Sequence, residues 1–338
     1  MTLPRRPRFG STQVCQHRLS PVQNVKILGF ILLNAMGLLL AFGATRAAAT
    51  EQGSLSDINA LLPKQAFPHD YVHGVVNLEF SNYHLTPRGI ILQDRGLIFQ
   101  PLVRLDWNLY KPEATNAVIN DGYVTTAVWN DLDTVRSGVL PGHWNEIDFT
   151  VGPNVKFLND WTLESPFTAF RSETESFETC WAWDPRLTYH DHFIKTFSLN
   201  PYVEFFDELH EKITVVLVPS KSQRSYYGVF GVDPTYEFET LPLKLELPSY
   251  ILIPGKNFYQ REDGSGGAAD IALWATTFKV TIPLNFIRSS YGKWSVYAGV
   301  QYDYLNNPGL LDGNEVAGAD HSRERNLIVY HGGVTWRF

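Results

Sequence analysis

The chain has 338 residues, 14% of them aromatic, with 25 Gly and two Cys. Its mean hydropathy is too low for a bundle of membrane helices, but it suits strands in which each apolar residue has a polar neighbour. The net charge is −7. Residues 1–49 hold six basic residues and no acid, so the remainder stands at −13, which argues against nucleic acid as a partner.

Val25 to Phe42 is almost wholly apolar, basic residues precede it, and Ala47-Ala48-Ala49 follows. This is the layout of a secretory signal peptide, with cleavage expected after Ala49. A retained anchor is the competing reading and leaves the downstream pattern unexplained. Removal of residues 1–49 takes Cys15 and leaves Cys180, too few thiols for a disulfide or a Cys-based zinc cage. Cys180 reads as an unpaired loop cysteine. Residues 50–70 are polar with two prolines and read as a periplasmic lead-in; 71–338 read as one domain.

From Val76 onward, apolar and polar residues alternate as in two-faced strands. The segments are 76–80, 103–109, 123–129, 147–157, 161–169, 197–205, 213–218, 226–238, 243–247, 274–284, 294–304 and 327–338. Ile213–Val218 is apolar on both faces, so its register is open. Mid-strand charges keep to the parity opposite the apolar set. A charge facing lipid near the midplane costs about 2–4 kcal/mol, so this avoidance points to an all-β transmembrane antiparallel barrel of about twelve strands. Its lumen set is Glu79, Arg104, Asp106, Glu146, Asp148, Lys156, Glu204, Lys244, Glu246, Lys279, Asp303 and Arg337, mixed in sign with acids in excess. The connections alternate long and short, with 219–225 the clearest exception and 111–120 a milder one. That fits an up-and-down meander with short periplasmic turns, longer outer loops and both termini in the periplasm. Aromatics near strand ends, among them Tyr83, Trp107, Tyr110, Trp144, Trp161, Tyr291, Trp294, Tyr304 and Trp336, fit interfacial girdles.

The chain stops on Phe338, with Trp336, Val334 and Tyr330 two, four and eight positions earlier. This ending resembles the C-terminal signal of bacterial outer-membrane β-barrel proteins. The resemblance implies export to the outer membrane and recognition of Tyr330, Val334, Trp336 and Phe338 by barrel assembly machinery. The stretch Phe278-Lys279-Val280-Thr281-Ile282-Pro283-Leu284-Asn285-Phe286-Ile287, with Tyr291-Gly292-Lys293-Trp294 after it, resembles the penultimate hairpin of uncharacterised bacterial barrel proteins. Strand count and belts also resemble twelve-stranded channels such as the nucleoside-specific family. Neither likeness supplies binding residues.

Catalytic signatures are missing: there is no G-x-S-x-G elbow, H-E-x-x-H or P-loop. His331 points into the lumen by parity and reads as part of a wet interior. Tyr189-His190-Asp191-His192 is the most metal-like cluster, yet it supplies too few ligands. Phe206-Asp207-Glu208-Leu209-His210-Glu211 reads as an acidic periplasmic hairpin, and Arg171 to Glu178 as a solvated outer loop. No cofactor, metal or catalytic residue is expected. The first functional expectation is a passive channel for small polar solutes. An outer-membrane enzyme acting on lipid or lipopolysaccharide, a structural barrel with a plugged lumen and a soluble periplasmic sandwich are the alternatives. The expected partners are outer-membrane lipid, lipopolysaccharide, the assembly machinery and a small polar solute.

Overall fold

In the computed structural model of the chain, the described residues are 71–112, 117–136, 142–210, 225–256, 258–259, 270–317 and 320–338. The expected signal peptide, the expected lead-in and the segment 213–218 lie outside them. Twelve strands form the wall: β1 (Val72–Ser81), β2 (Ile98–Tyr110), β3 (Ile119–Asp133), β4 (Trp144–Phe157), β5 (Trp161–Glu164 and Phe167–Ser172), β6 (Cys180–Trp183 and Arg186–Tyr189), β7 (Phe197–Ser198 and Pro201–His210), β8 (Ser225–Val232 and Thr235–Glu237), β9 (Lys244–Glu246 and Ser249–Pro254), β10 (Leu273–Pro283), β11 (Lys293–Leu305) and β12 (Asn326–Arg337). Each pairs antiparallel with its chain neighbours. β1 also pairs with β12, from Val75↔Arg337 to Ser81↔His331, which closes the barrel.

At the closing seam the Phe338 ring lies across Gly74: a Cβ there would be 2.2 Å from the ring. The two residues exchange backbone hydrogen bonds of 2.8 and 3.0 Å. The ends of β1 and β12 therefore share one rim, here the terminal rim, and the longer connections gather at the opposite, distal rim.

Two sequence expectations need correction. Residues 180–189 form β6, not part of a loop, and Cys180 sits fully buried on its inner face. The strand is split at Asp184-Pro185 into Cys180-Trp181-Ala182-Trp183, apolar throughout, and Arg186-Leu187-Thr188-Tyr189, each too short to read as a strand. Residues Phe206 to His210 are not a hairpin at the terminal rim; they complete β7 toward the distal rim. Ser225 closes on Glu208 there with a 2.7 Å hydrogen bond from β8.

The two faces of the strands differ in burial. Val103, Phe149, Val151, Leu163, Val203, Phe230 and Ile282 are exposed on the outer wall, while Asp106, Glu146, Lys244, Glu246, Lys279 and Asp303 are buried inside. Asp207, in register with outward Trp183 and Tyr226, departs from this rule near the distal rim. Aromatic rings line the outer wall in runs. At the terminal rim Phe157, Trp161 and Tyr189 stack in sequence, as do Trp294, Trp336 and Phe338. A second run, Phe167, Trp183, Phe205 and Tyr226, starts at mid-wall beside Val151 and reaches the distal end of β8.

A row of breaks crosses β5 to β9 at Ser165-Pro166, Asp184-Pro185, Leu199-Asn200, Asp233-Pro234 and Leu247-Pro248. Proline lacks the N–H that a ladder needs, and it is confined within sheets to edges and bulges. Its carbonyl still accepts: Ser165 N–H donates to Pro153 O, Asp184 to Pro166, Phe205 to Pro185, Leu247 to Pro234 and Thr277 to Pro248, all within 2.8–3.1 Å. Gly152 is required beside the first break, because a Cβ there would lie 2.4 Å from Pro166 Cα.

The distal half of the lumen is filled by an apolar core. The β1–β2 connection turns inward as a hairpin, His84–Leu85 against Ile91–Gln93. Ile90, Ile91 and Leu92 pack there with Leu252, Leu273, Leu305, Leu310, Leu327, Phe258 and Tyr259. Helix α1 (Pro308–Val316) completes this plug. Asn307 caps it by accepting from Gly309 N and Leu310 N at 2.8 and 3.2 Å, with Pro308 in the first turn.

Candidate functional site

The tip of the inward hairpin is built by its own sequence. Thr86-Pro87-Arg88-Gly89 is a tight turn closed by Gly89 N–H to Thr86 O at 2.8 Å, with Gly89 at φ 79°. Proline at the second position and glycine at the fourth suit such a turn. A Cβ on Gly89 would press on Leu305 and Leu310 at 3.0 and 3.1 Å. The turn's polar backbone is satisfied from the surroundings. Tyr250 OH donates to Pro87 O at 2.9 Å and Tyr259 OH to Arg88 O at 2.6 Å. Asn314 on α1 donates to Gly89 O and accepts from Ile91 N, each at 3.0 Å. The hairpin is thus docked to β9, to α1 and to the segment that carries Tyr259.

Below the tip lies a chamber of about 560 Å³. The hairpin contributes His84, Leu85, Thr86, Pro87 and Arg88. The wall contributes carboxyls from Glu79, Glu146, Asp148, Asp184 and Glu204, the guanidinium of Arg186, and aromatic rings including Trp129, Tyr202 and Tyr227. Of the twelve predicted lumen residues, Glu79, Glu146, Asp148 and Glu204 line this chamber. Five more belong to ion-pair networks inside the barrel. Arg104 meets Asp106 at 2.9 Å and Glu164 at 3.4 Å, and Thr125 donates to Asp106 at 2.5 Å. Lys244 and Lys279 hold Glu246 at 3.2 and 3.1 Å. Asp303 accepts from Gln301 at 2.9 Å. Lys156 and Arg337 stand near the terminal rim on β4 and β12, outside the chamber. His331 joins Glu79 at 3.6 Å, with Tyr297 OH donating to the same carboxylate at 2.7 Å.

The outer-face set Tyr330, Val334, Trp336 and Phe338 remains on the wall, away from the chamber. The 189–192 cluster is scattered by the β6–β7 turn. Asp191 accepts from Leu199 N and Asn200 N at 2.7 and 2.6 Å, so it organises the turn. His192 faces Asp160 at 3.6 Å, and His190 meets Thr162 at 2.9 Å. Among the described residues no three His, Cys, Asp or Glu side chains gather as a metal-binding group.

Sequence reading missed Arg88, His84, Asp184 and Arg186. The last two lie in β6. The first two lie in a connection whose inward course no periodicity reports, although the T-P-R-G turn is a legible signal.

His84 ties the hairpin to β3. It is buried, and its Nδ1 lies 2.9 Å from Asp131, with the Trp129 ring 5.5 Å away. Burial works against its charge. Asp131, helped by Glu146 and Asp133, outweighs burial and raises the pKa from 6.5 to about 8. A raised folded pKa contributes stability that is complete below 6.5 and is lost as pH rises through 8. Hairpin docking is therefore expected to weaken across that interval. A histidine NMR titration checks it: one resonance with a midpoint near 8, absent in H84Q, is expected, and a midpoint below 6.5 would count against the pair.

No sequence-family model matches the chain, and no curated protein matches it in sequence. Solved structures of barrel proteins are similar in fold. The NanC porin is 12% identical over 78% of this chain and 98% of that one, with a TM-score of 0.39. An outer-membrane channel from Pseudomonas putida F1 is 12% identical over 81% and 100%, with a TM-score of 0.47. The KdgM porin, solved with disordered oligogalacturonate, is 9% identical over 79% and 99%, with a TM-score of 0.35. At these values no property of the three passes to this chain.

Proposed function

We propose that the barrel spans a bacterial outer membrane and is a channel for small polar solutes, held shut by its inward hairpin. The observation that carries this reading is the contrast of the two faces. The outer wall is apolar and lined by runs of aromatic rings, while a chamber lined with charge lies inside. Lipid tolerates the first surface and water the second. Export through the apolar N-terminal segment, and presentation of Tyr330, Val334, Trp336 and Phe338 to assembly machinery, belong to the same proposal.

Planar-bilayer recording of the purified chain tests it. Intermittent discrete steps are expected, and silence would remove the channel reading. A second reading, a structural barrel with a permanently filled lumen, is favoured by the apolar core around Ile91 and Leu305 at the distal rim. It predicts silence even when the hairpin is removed.

A further inference from the structure

We propose that the chamber is a binding site for small organic cations carrying a guanidinium or primary ammonium group, and that Arg88 is its tethered occupant. The proposal rests on the channel reading only for the route by which a solute arrives.

The chamber is lined by four carboxyls besides Glu79: Glu146 and Asp148, two residues apart on one face of β4, Asp184 at the break in β6, and Glu204 on β7. Carboxyls gathered in one enclosed chamber share protons or are bridged by a cation. One oxygen each of Asp148 and Asp184 is buried with no hydrogen-bond partner. Arg186 does not meet that demand, being held by Asp233 and laid over the Tyr202 ring at 3.5 Å.

Arg88 remains. It is only 5% exposed, and its guanidinium carbon sits 5.1 Å from the Phe170 ring centroid and 5.2 Å from that of Phe206. Glu146, Asp148 and Asp184 line the same chamber. The Arg88 Nε has no hydrogen-bond partner. The site therefore offers a cation two aromatic faces and several acids, while the residue that occupies it, constrained by the turn at Gly89, does not complete the available hydrogen bonds. A free guanidinium or ammonium compound has no such constraint and competes with the tether. The opposite reading makes Arg88 the ligand of an anion; the five chamber carboxyls disfavour it.

Calorimetry on the full chain in detergent tests this with agmatine, and with glutarate as the anionic probe. Agmatine is expected to bind R88Q at least about tenfold more tightly than wild type, because a competing closed state is removed. R88K, which keeps a cation on the turn, is expected to match wild type, and E146Q/D148N in the R88Q background to lose binding. Glutarate is expected to bind none of them. Equal or weaker agmatine binding by R88Q overturns the proposal, as does glutarate binding that R88Q abolishes. Should R88Q fail to fold, wild type still decides: agmatine is expected to speed hydrogen exchange in residues 84–93, and no change would overturn the idea. Bilayer recording separates the two readings. Agmatine binding without conductance fails the channel alone, and conductance without agmatine binding fails the cation site alone.

Discussion

Replacing residues 84–93 with a short Gly-Ser linker is expected to turn an intermittently conducting barrel into a persistently open one. The geometry permits the change, because Ser81 and Ile98 already face each other across β1 and β2, so a short turn can join them. The replacement removes His84 and its pair with Asp131, the Arg88 wedge, and the apolar Ile90, Ile91 and Leu92. α1 would remain at the distal rim, but its Asn314 would lose both hairpin partners, Gly89 O and Ile91 N. Leu305, Leu310 and Leu273 would lose their apolar cover and face water. Single-channel recording should show long openings of larger amplitude, and swelling of liposomes in small neutral sugars should accelerate. An unchanged record would mean that the remaining core and the charge networks close the lumen without the hairpin, as the structural-barrel reading requires.

The second large effect concerns the outer wall. Val103 and Arg104 are adjacent on β2 but face opposite ways. Val103 is 44% exposed on the outside, and Arg104 is held inside by Asp106 and Glu164. Val103→Lys is expected to cost about 2–4 kcal/mol of folding stability in a bilayer. Its natural neighbour carries the same charge one residue away at no such cost. Denaturant titration in lipid vesicles measures the difference. Loss of less than about 0.5 kcal/mol, the range of ordinary surface changes, would argue that the Val103 face does not meet lipid.

The wall was legible in the sequence because a strand reports its two faces at every second residue. A single parity assignment placed Arg104, Glu146, Lys244 and Lys279 inside and Val103, Phe149 and Ile282 outside. β6 was not legible: Asp184-Pro185 cuts it into two pieces of four residues, too short for alternation to stand out. The count of twelve was nonetheless reached with 213–218 counted and 180–189 omitted. The chamber was half legible. Parity supplied Glu79, Glu146, Asp148 and Glu204, but the residue that fills the space between them comes from a connection. Connections have no period, and the inward course of 84–93 is set by contacts with Tyr250, Tyr259 and Asn314, far along the chain.

The row of breaks across β5 to β9 divides the barrel mechanically. β10 to β12 and β1 to β4 run unbroken as strands from rim to rim, a stiff half-cylinder. Each strand of the other half is interrupted once, and Pro166, Pro185, Pro234 and Pro248 withhold a ladder donor at four of the five breaks. Chamber residues Asp184, Arg186, Tyr202 and Glu204 lie close to these breaks in sequence. Deformation of the cross-section is expected to concentrate at these breaks, on the flank that carries the chamber, and to spare the closing seam at Gly74 and Phe338.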